Sequence, residues 1–157
     1  MPNITERRIA LIIDSQDMPI SHLRPLPEIL TKFGTLVKKF AIGEWGTPQT
    51  RHHEDYAKML DVELLELKKF DWLEFDNGFK FDDLTFQRKT LCVIALLTTH
   101  GTSNILCDDF AIVCSDPDII PLLNSLRVKG HKVYLFCRKK NLEDFIGYAT
   151  EVAYLRE

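Results

Sequence analysis

Three aspartates follow apolar runs at two separate places in the sequence. Asp14 ends the run Arg8–Asp14, "RIALIID", while Asp116 and Asp118 follow the run Phe110–Val113 in "FAIVCSDPD". Asp116 and Asp118 are only two residues apart. Two carboxylates so close together repel each other, and the pKa of one of them is usually raised. A hard divalent cation would relieve this repulsion, because such ions take oxygen ligands and often retain waters for a phosphate substrate. One or two such ions can activate water and stabilise a displacement at phosphorus.

The same acids also have simpler interpretations. Aspartate is favoured at helix N-termini, so Asp116 or Asp118 could cap the apolar helix predicted from about Ile119 to Lys129. Asp14 alone could be a loop residue after a strand. Capping explains one acid of the close pair well but not both, so a shared role depends on whether the fold brings all three acids together.

The elements that would position these acids can be predicted from the spacing of apolar residues. Strands are predicted at "RIALIID", "TLVKKFAI", "VELLELK", "FAIV", "HKVYLFC" and "EVAYL". Helices are predicted between them, over about residues 25–34, 48–60, 88–101, 119–129 and 141–149, the last capped by Asn141. This alternation predicts an α/β fold, a three-layer α/β/α arrangement with a mostly parallel central sheet.

The predicted sheet offers a meeting point for the three acids. In open α/β sheets, ligands bind at the carboxyl ends of the strands, near the point where the strand order reverses. Asp14 ends the first predicted strand, and Asp116 and Asp118 follow the fourth. If these two strands are neighbours, the three carboxylates converge at one edge of the sheet.

A basic run lies close to the same predicted edge. Arg138, Lys139 and Lys140 directly follow the predicted strand "HKVYLFC" and could bind phosphates, or they could form an ordinary charged loop. The net charge of -3 provides no global basic field, so nucleic-acid binding would need a local patch of this kind. Asp17, three residues after Asp14, could support the acidic site or cap the next turn.

Length and composition limit the class of protein. The 157 residues match one domain, which we predict to span residues 1–157, and the 45% hydrophobic and 27% charged content is typical of a globular chain. No segment reaches the roughly 18 apolar residues that a membrane helix needs. The four cysteines form no CxxC pair, which disfavours zinc. We expect a cytoplasmic protein with reduced thiols and no membrane association.

One segment departs from the alternation of strands and helices. "FDWLEFDNGFKFDDLTF", residues 70–86, alternates apolar and polar residues around Asn77-Gly78, the strongest short hairpin pattern in the chain. We predict an inserted β-hairpin there. Its aromatic side chains would cover a sheet edge or pack under a helix, with RNA stacking or self-association into a homodimer as the alternatives.

Four stretches of the chain resemble one protein family. "LIIDSQD", "GTLVKKFAIGEW", "FAIVCSDPDIIPLLNSLRVKGHKVYLF" and "KKNLEDFIGYATEVAYLRE" are similar, in order, to the NYN domain of the PIN-like ribonuclease superfamily, and the last resembles its LabA-like branch. The resemblance implies a metal-dependent nuclease acting on RNA, which we expect to be single-stranded. It implies that Asp14, Asp116 and Asp118 are catalytic ligands of Mg²⁺ or Mn²⁺, with Asp17 as a polar support nearby.

The resemblance has one departure that bears on activity. The family usually has a further aspartate early in the helix before the S-D-x-D strand, and counting back without gaps puts Leu91 there. Two hypotheses from different classes follow: a metal-dependent endoribonuclease, or a catalytically inactive pseudo-nuclease that binds RNA or a protein partner. The sequence contains neither GxxxxGK[ST] nor GxGxxG, which disfavours nucleotide cofactors.

Overall fold

The computed structural model of the protein describes residues 7–14, 23–43, 46, 48, 51–66 and 107–155. The elements in chain order are β1 (Arg8–Asp14), α1 (Leu26–Leu30), β2 (Thr35–Gly43), α2 (Arg51–Met59), β3 (Glu63–Glu66), β4 (Asp109–Val113), α3 (Ile120–Val128), β5 (Val133–Cys137), α4 (Leu142–Phe145) and β6 (Glu151–Tyr154). Short 3-10 turns, Pro117–Ile119 and Lys139–Asn141, directly precede α3 and α4. The predicted hairpin over 70–86 and the predicted helix over 88–101 lie outside the described residues.

The six described strands form one parallel sheet in the order β3-β2-β1-β4-β5-β6. The chain moves outward from β1 through β2 to β3, returns to the centre, and moves to the other side through β4, β5 and β6. The strand order therefore reverses between β1 and β4. We call the edge where the strands end the carboxyl edge, and the edge where they begin the amino edge.

Buried side chains on both faces of the sheet account for this arrangement. Successive residues of a strand point to opposite faces, so the continuous apolar run of β1 supplies both. Ala10 and Ile12 belong to the core beneath α3 and α4, while Ile9, Leu11 and Ile13 belong to the core beneath α1 and α2. Helices thus cover both faces, and the predicted three-layer α/β/α fold with a parallel sheet is confirmed.

An ion pair between the buried Asp109 and the partly exposed Arg7 organises the amino edge. Asp109, whose side chain is 0% exposed, accepts hydrogen bonds from Arg7 Nε at 2.9 Å and from Arg7 Nη2 at 2.6 Å. The main-chain N–H of Lys132 donates to the same carboxylate at 2.9 Å. A fully buried carboxylate needs such partners, because burying an unpaired charge is strongly unfavourable. The pair joins the start of β1 to the starts of β4 and β5.

The last helix is shorter than predicted. It spans only Leu142–Phe145, and Asn141 occupies the predicted N-cap position but makes no side-chain hydrogen bond to a main-chain N–H of the first turn. The Nδ2 of Asn141 instead donates to Asp144 Oδ2 at 3.3 Å. The chain turns away after Phe145 because Gly147 adopts a φ of 91°, a conformation that glycine tolerates and that interrupts a helix.

Candidate functional site

The strands that carry the predicted acids are neighbours. Ile13 of β1 pairs with Val113 of β4, so the register places Asp14, the last residue of β1, beside Cys114 and two residues before Asp116. Adjacent strands lie about 4.8 Å apart. Asp14 and the loop that carries Asp116 therefore meet at the carboxyl edge, beside the point where the strand order reverses.

Burial distinguishes the two acids. Asp14 is 7% exposed, whereas Asp116 is exposed at the tip of its loop. Asp14 pairs with Ile42 of β2, and the residue before it, Ile13, pairs with both β2 and β4. The sheet therefore sets the backbone position of Asp14, while the position of Asp116 depends on the conformation of a loop.

Local hydrogen bonds shape that loop after β4. The main-chain N–H of Asp116 donates to Cys114 Sγ at 3.4 Å, and the Asp116 carbonyl accepts from the N–H of Ile119 at 3.1 Å. The second bond closes the 3-10 turn Pro117–Ile119, in which proline suits the first position because it has no N–H to donate. Asp118 lies in the middle of this turn, and its side chain is outside the described part of the structure.

The loop after β5 lies directly beside the loop after β4. The main-chain N–H of Arg138 donates to Ser115 Oγ at 2.9 Å, and the Arg138 carbonyl accepts from the N–H of Asn141 at 2.9 Å. Lys139 and Lys140 are exposed on the 3-10 turn that this second bond closes. The predicted basic run is therefore on the carboxyl edge, next to the loop that carries Asp116.

Two residues of this edge were not predicted from the sequence. Ser115 is 6% exposed and joins the loops after β4 and β5. Tyr154 ends β6, pairs with Cys137 and is 40% exposed, with Lys139 Nζ at 5.6 Å from its ring centroid. The motif S-D-x-D contains Ser115 and could have indicated it. No pattern in "EVAYL" distinguishes an exposed tyrosine from a buried one.

The described acids fit a hard cation by chemistry but do not complete a site. Asp14 and Asp116 supply carboxylate oxygens, the ligands that Mg²⁺ and Mn²⁺ prefer in proteins. Across the described residues, no three His, Cys, Asp or Glu side chains are grouped to hold a metal ion. Because the side chain of Asp118 and the whole of Asp17 fall outside that set, the three-carboxylate site remains a prediction.

The resolved pKa shifts lie elsewhere, mainly at the amino edge. The main-chain N–H of Arg8 donates to Asp108 Oδ2 at 2.8 Å, and this bond is the largest cause of the lowered pKa of Asp108. The hydrogen bond to Asp109 raises the pKa of Arg7, and burial raises the pKa of Cys107. These shifts belong to groups that stabilise the sheet, at the edge opposite to the candidate site.

A groove of about 410 Å³ also lies away from the candidate site, at the starts of β2 and β3. Its charged lining residues are Lys38, Lys39, Asp61 and Glu63, so the two signs balance. Lys39 Nζ donates to the main-chain carbonyl of Leu60 at 2.8 Å. A polyanion would gain little net attraction from this lining, because its charges balance.

The fold and the carboxyl edge define an α/β domain of the PIN-like kind, with acids where the strand order reverses. The family model of the NYN domain matches residues 8–156, and the chain belongs to this family. The NYN domain is a member of the PIN-like nuclease superfamily, whose enzymes typically use divalent metals. A comparison with curated proteins found no match. Among the helices of the described residues, none has the length and apolar content to cross a membrane.

Proposed function

We propose that the protein is a metal-dependent endoribonuclease that hydrolyses phosphodiester bonds of single-stranded RNA, in the LabA-like branch of its family. One observation carries the proposal: Asp14 and the loop of Asp116 adjoin each other at the carboxyl ends of β1 and β4, where the strand order reverses. This is where ligands bind in open α/β sheets. Membership in a nuclease superfamily supports the same chemistry.

The residues of this edge divide into two roles. Asp14, Asp116 and Asp118 would hold Mg²⁺ or Mn²⁺, which when bound activates water and stabilises charge at phosphorus. Asp17 would support these ligands. The substrate would be held by the neighbouring basic loop, because exposed lysines next to an acidic site attract and orient a phosphate backbone. The residues of that loop are Arg138, Lys139 and Lys140.

A second candidate function is a pseudo-nuclease that binds RNA or a protein and has lost turnover. It is favoured by the resemblance, in which counting back without gaps puts Leu91 where the family usually has an acid; leucine cannot coordinate a cation. Fewer carboxylates weaken the binding of hard cations. For the enzyme we therefore expect slow cleavage that is faster with Mn²⁺ than with Mg²⁺.

Cleavage of labelled single-stranded RNA separates the two functions. Wild type, Asp116→Asn and Leu91→Asp are incubated with Mn²⁺ and, separately, with EDTA. Asp61→Asn is the matched control, since Asp61 is an exposed aspartate on the turn before β3, at the amino edge. Asparagine also tolerates the φ of 56° found at Asp61.

Each outcome selects one function. Cleavage by wild type and Asp61→Asn but not by Asp116→Asn supports the enzyme. Cleavage by Leu91→Asp alone supports a nuclease that has lost activity and now binds. Retention of RNA on a filter without cleavage by any variant supports the binding module, and absence of both cleavage and retention excludes both RNA functions.

The proposal extends to assembly and location. We propose a homodimer formed through the aromatic hairpin predicted over 70–86, tested by light scattering on wild type and Trp72→Ser. A monomeric wild type would exclude the dimer. We also propose a cytoplasmic location, because Cys114 and Cys137 are buried, as is typical of thiols in a reducing compartment. Fluorescence microscopy of the tagged protein tests the location.

A further inference from the structure

The exposed tyrosine at the end of β6 lies on the same edge as the candidate site. Tyr154 pairs with Cys137, the last residue of β5, and Arg138 follows at once. Since adjacent strands are about 4.8 Å apart, Tyr154 lies about 10 Å from the end of β4, across β5. An RNA strand that passes over Asp116 and the basic loop would therefore reach Tyr154 next.

A cation accompanies the ring. Lys139 Nζ lies 5.6 Å from the ring centroid of Tyr154, within the range in which an ammonium is attracted to an aromatic face. Both side chains are accessible, with Tyr154 40% exposed and Lys139 exposed on its turn. The ammonium lies over one face of the ring, so a base would stack on the opposite face while the cation meets the phosphate, an arrangement that matches one nucleotide of a single strand.

We infer that Tyr154 and Lys139 form a base-stacking site for single-stranded RNA, one that selects unpaired bases for the candidate site. The inference depends on the RNA-binding part of the proposed function. In duplex RNA the bases are already stacked on one another, so their faces are not available to Tyr154. The site thereby gives the chain a physical reason to prefer single strands.

The separation between Tyr154 and the acids supports a role in binding rather than in chemistry. Tyr154 lies two strands away from β4, so it would contact a nucleotide next to the one at the acids. Its contribution is expected in affinity and in the choice between single and double strands. The rate of cleavage of bound RNA should depend on it much less.

The test measures binding in EDTA, so that no cleavage can occur. The probe is a labelled single-stranded RNA carrying 2-aminopurine, whose fluorescence falls when it stacks, and the protein is titrated into it. The variants are Tyr154→Ala, Tyr154→Phe and Lys139→Gln. Tyr148→Ala is the matched control, because Tyr148 is 43% exposed but lies before β6, near the amino edge.

The expected results are specific to the ring and to the charge. Tyr154→Ala should bind about 5-fold to 100-fold more weakly and lose the fluorescence change, whereas Tyr154→Phe and Tyr148→Ala should resemble wild type. Affinity falls as the salt concentration rises, and Lys139→Gln should make this fall less steep. The magnitude of the slope of log affinity against log salt should decrease by about 0.7, the value for one phosphate contact on a single strand. Tyr154→Ala should also reduce the preference for single-stranded over duplex RNA.

The outcomes separate this inference from the proposed function. Wild-type binding that survives Tyr154→Ala unchanged, or that falls equally in Tyr148→Ala, overturns the stacking site and leaves the nuclease proposal standing. Binding that depends on Tyr154 in a protein that never cleaves supports the stacking site and overturns the nuclease. Wild type that binds no RNA overturns both.

Discussion

A hydrogen bond between Ser115 and Arg138 connects the two loops of the candidate site. The buried hydroxyl of Ser115 accepts from the main-chain N–H of Arg138 at 2.9 Å. Ser115 immediately precedes Asp116, and Arg138 begins the basic run, so this bond sets the spacing between the acidic and the basic parts of the edge. In the proposed nuclease, the hydroxyl would therefore act on position rather than on the reacting atoms.

Replacing this hydroxyl should affect cleavage more than stability. Ser115→Ala removes the acceptor and should lower the free energy of unfolding by only about 1 kcal/mol. Displacing the loops should reduce cleavage by about tenfold or more, because small misplacements of substrate are costly. Ser115→Thr keeps the hydroxyl and should restore cleavage. Chemical denaturation measures the change in stability, and RNA-cleavage kinetics measure the change in rate. Full activity of Ser115→Ala would contradict the predicted loss of cleavage.

Gly34 should resist replacement by alanine. A Cβ at Gly34 would collide with the main-chain carbonyl oxygen of Arg7, which accepts the N–H of Thr35 at 2.8 Å and so begins the pairing of β1 with β2. The backbone would have to shift, and we expect Gly34→Ala to lower the free energy of unfolding by about 1–3 kcal/mol.

The matched control is Lys32→Ala, because Lys32 is exposed two residues earlier in the same turn. It should change stability by less than about 0.5 kcal/mol. Urea denaturation measures both variants. Equal stability of Gly34→Ala and wild type would show that the close approach of the Arg7 carbonyl does not constrain this turn.

The sequence predicted the strands and helices correctly where burial alone decides the secondary structure. The run Arg8–Asp14 is predicted and observed with the same bounds, because continuous apolar β-branched residues suit a strand covered on both faces. The length of the last helix was overestimated because its apolar pattern continues past Phe145, while the turn at Gly147 depends on backbone conformation. Tertiary contacts, here the turn back toward β6, outweighed local propensity.

The candidate site was predictable only in part. Alternating strands and helices place Asp14 and Asp116 at strand ends, but only the observed strand order makes β1 and β4 neighbours. The bond between Ser115 and Arg138 could not be predicted, since it joins residues that meet through that order. The exposure of Tyr154 depends on β6 lying at the end of the described sheet, which no local pattern indicates.

Asp108 should make stability depend on pH in the acid range. Its pKa is lowered from the ordinary value of 3.8, chiefly by the hydrogen bond from the Arg8 main-chain N–H. Burial opposes this as the second-largest effect, and the Arg8 side chain adds a smaller lowering. A lowered folded pKa means that the stabilisation is fully present above the unfolded value. It is lost as the pH falls through the folded pKa.

The variant Asp108→Asn keeps the shape and removes the charge. At neutral pH it should be less stable than wild type by about 1 kcal/mol, a modest amount because Asp108 is partly exposed. The difference should shrink as the pH falls below 3.8. Urea denaturation across this range measures it, and a difference that stays constant or grows in acid would contradict the assignment.

Binding of a divalent cation should stabilise the protein if Asp14 and Asp116 are its ligands. A ligand that binds only the folded state raises the free energy of unfolding, by about 2.7 kcal/mol when present at about 100 times its Kd. Thermal unfolding with and without Mn²⁺ measures this for wild type, Asp116→Asn and the control Asp61→Asn. We expect a rise in Tm for wild type and Asp61→Asn, and a much smaller one for Asp116→Asn, because one negatively charged ligand has been replaced by a neutral amide.

Leu91→Asp should enlarge the rise in Tm by adding a carboxylate. The same rise in wild type and Asp116→Asn would place the cation elsewhere, and no rise in any variant, with Leu91→Asp included, would argue against a metal site at this edge.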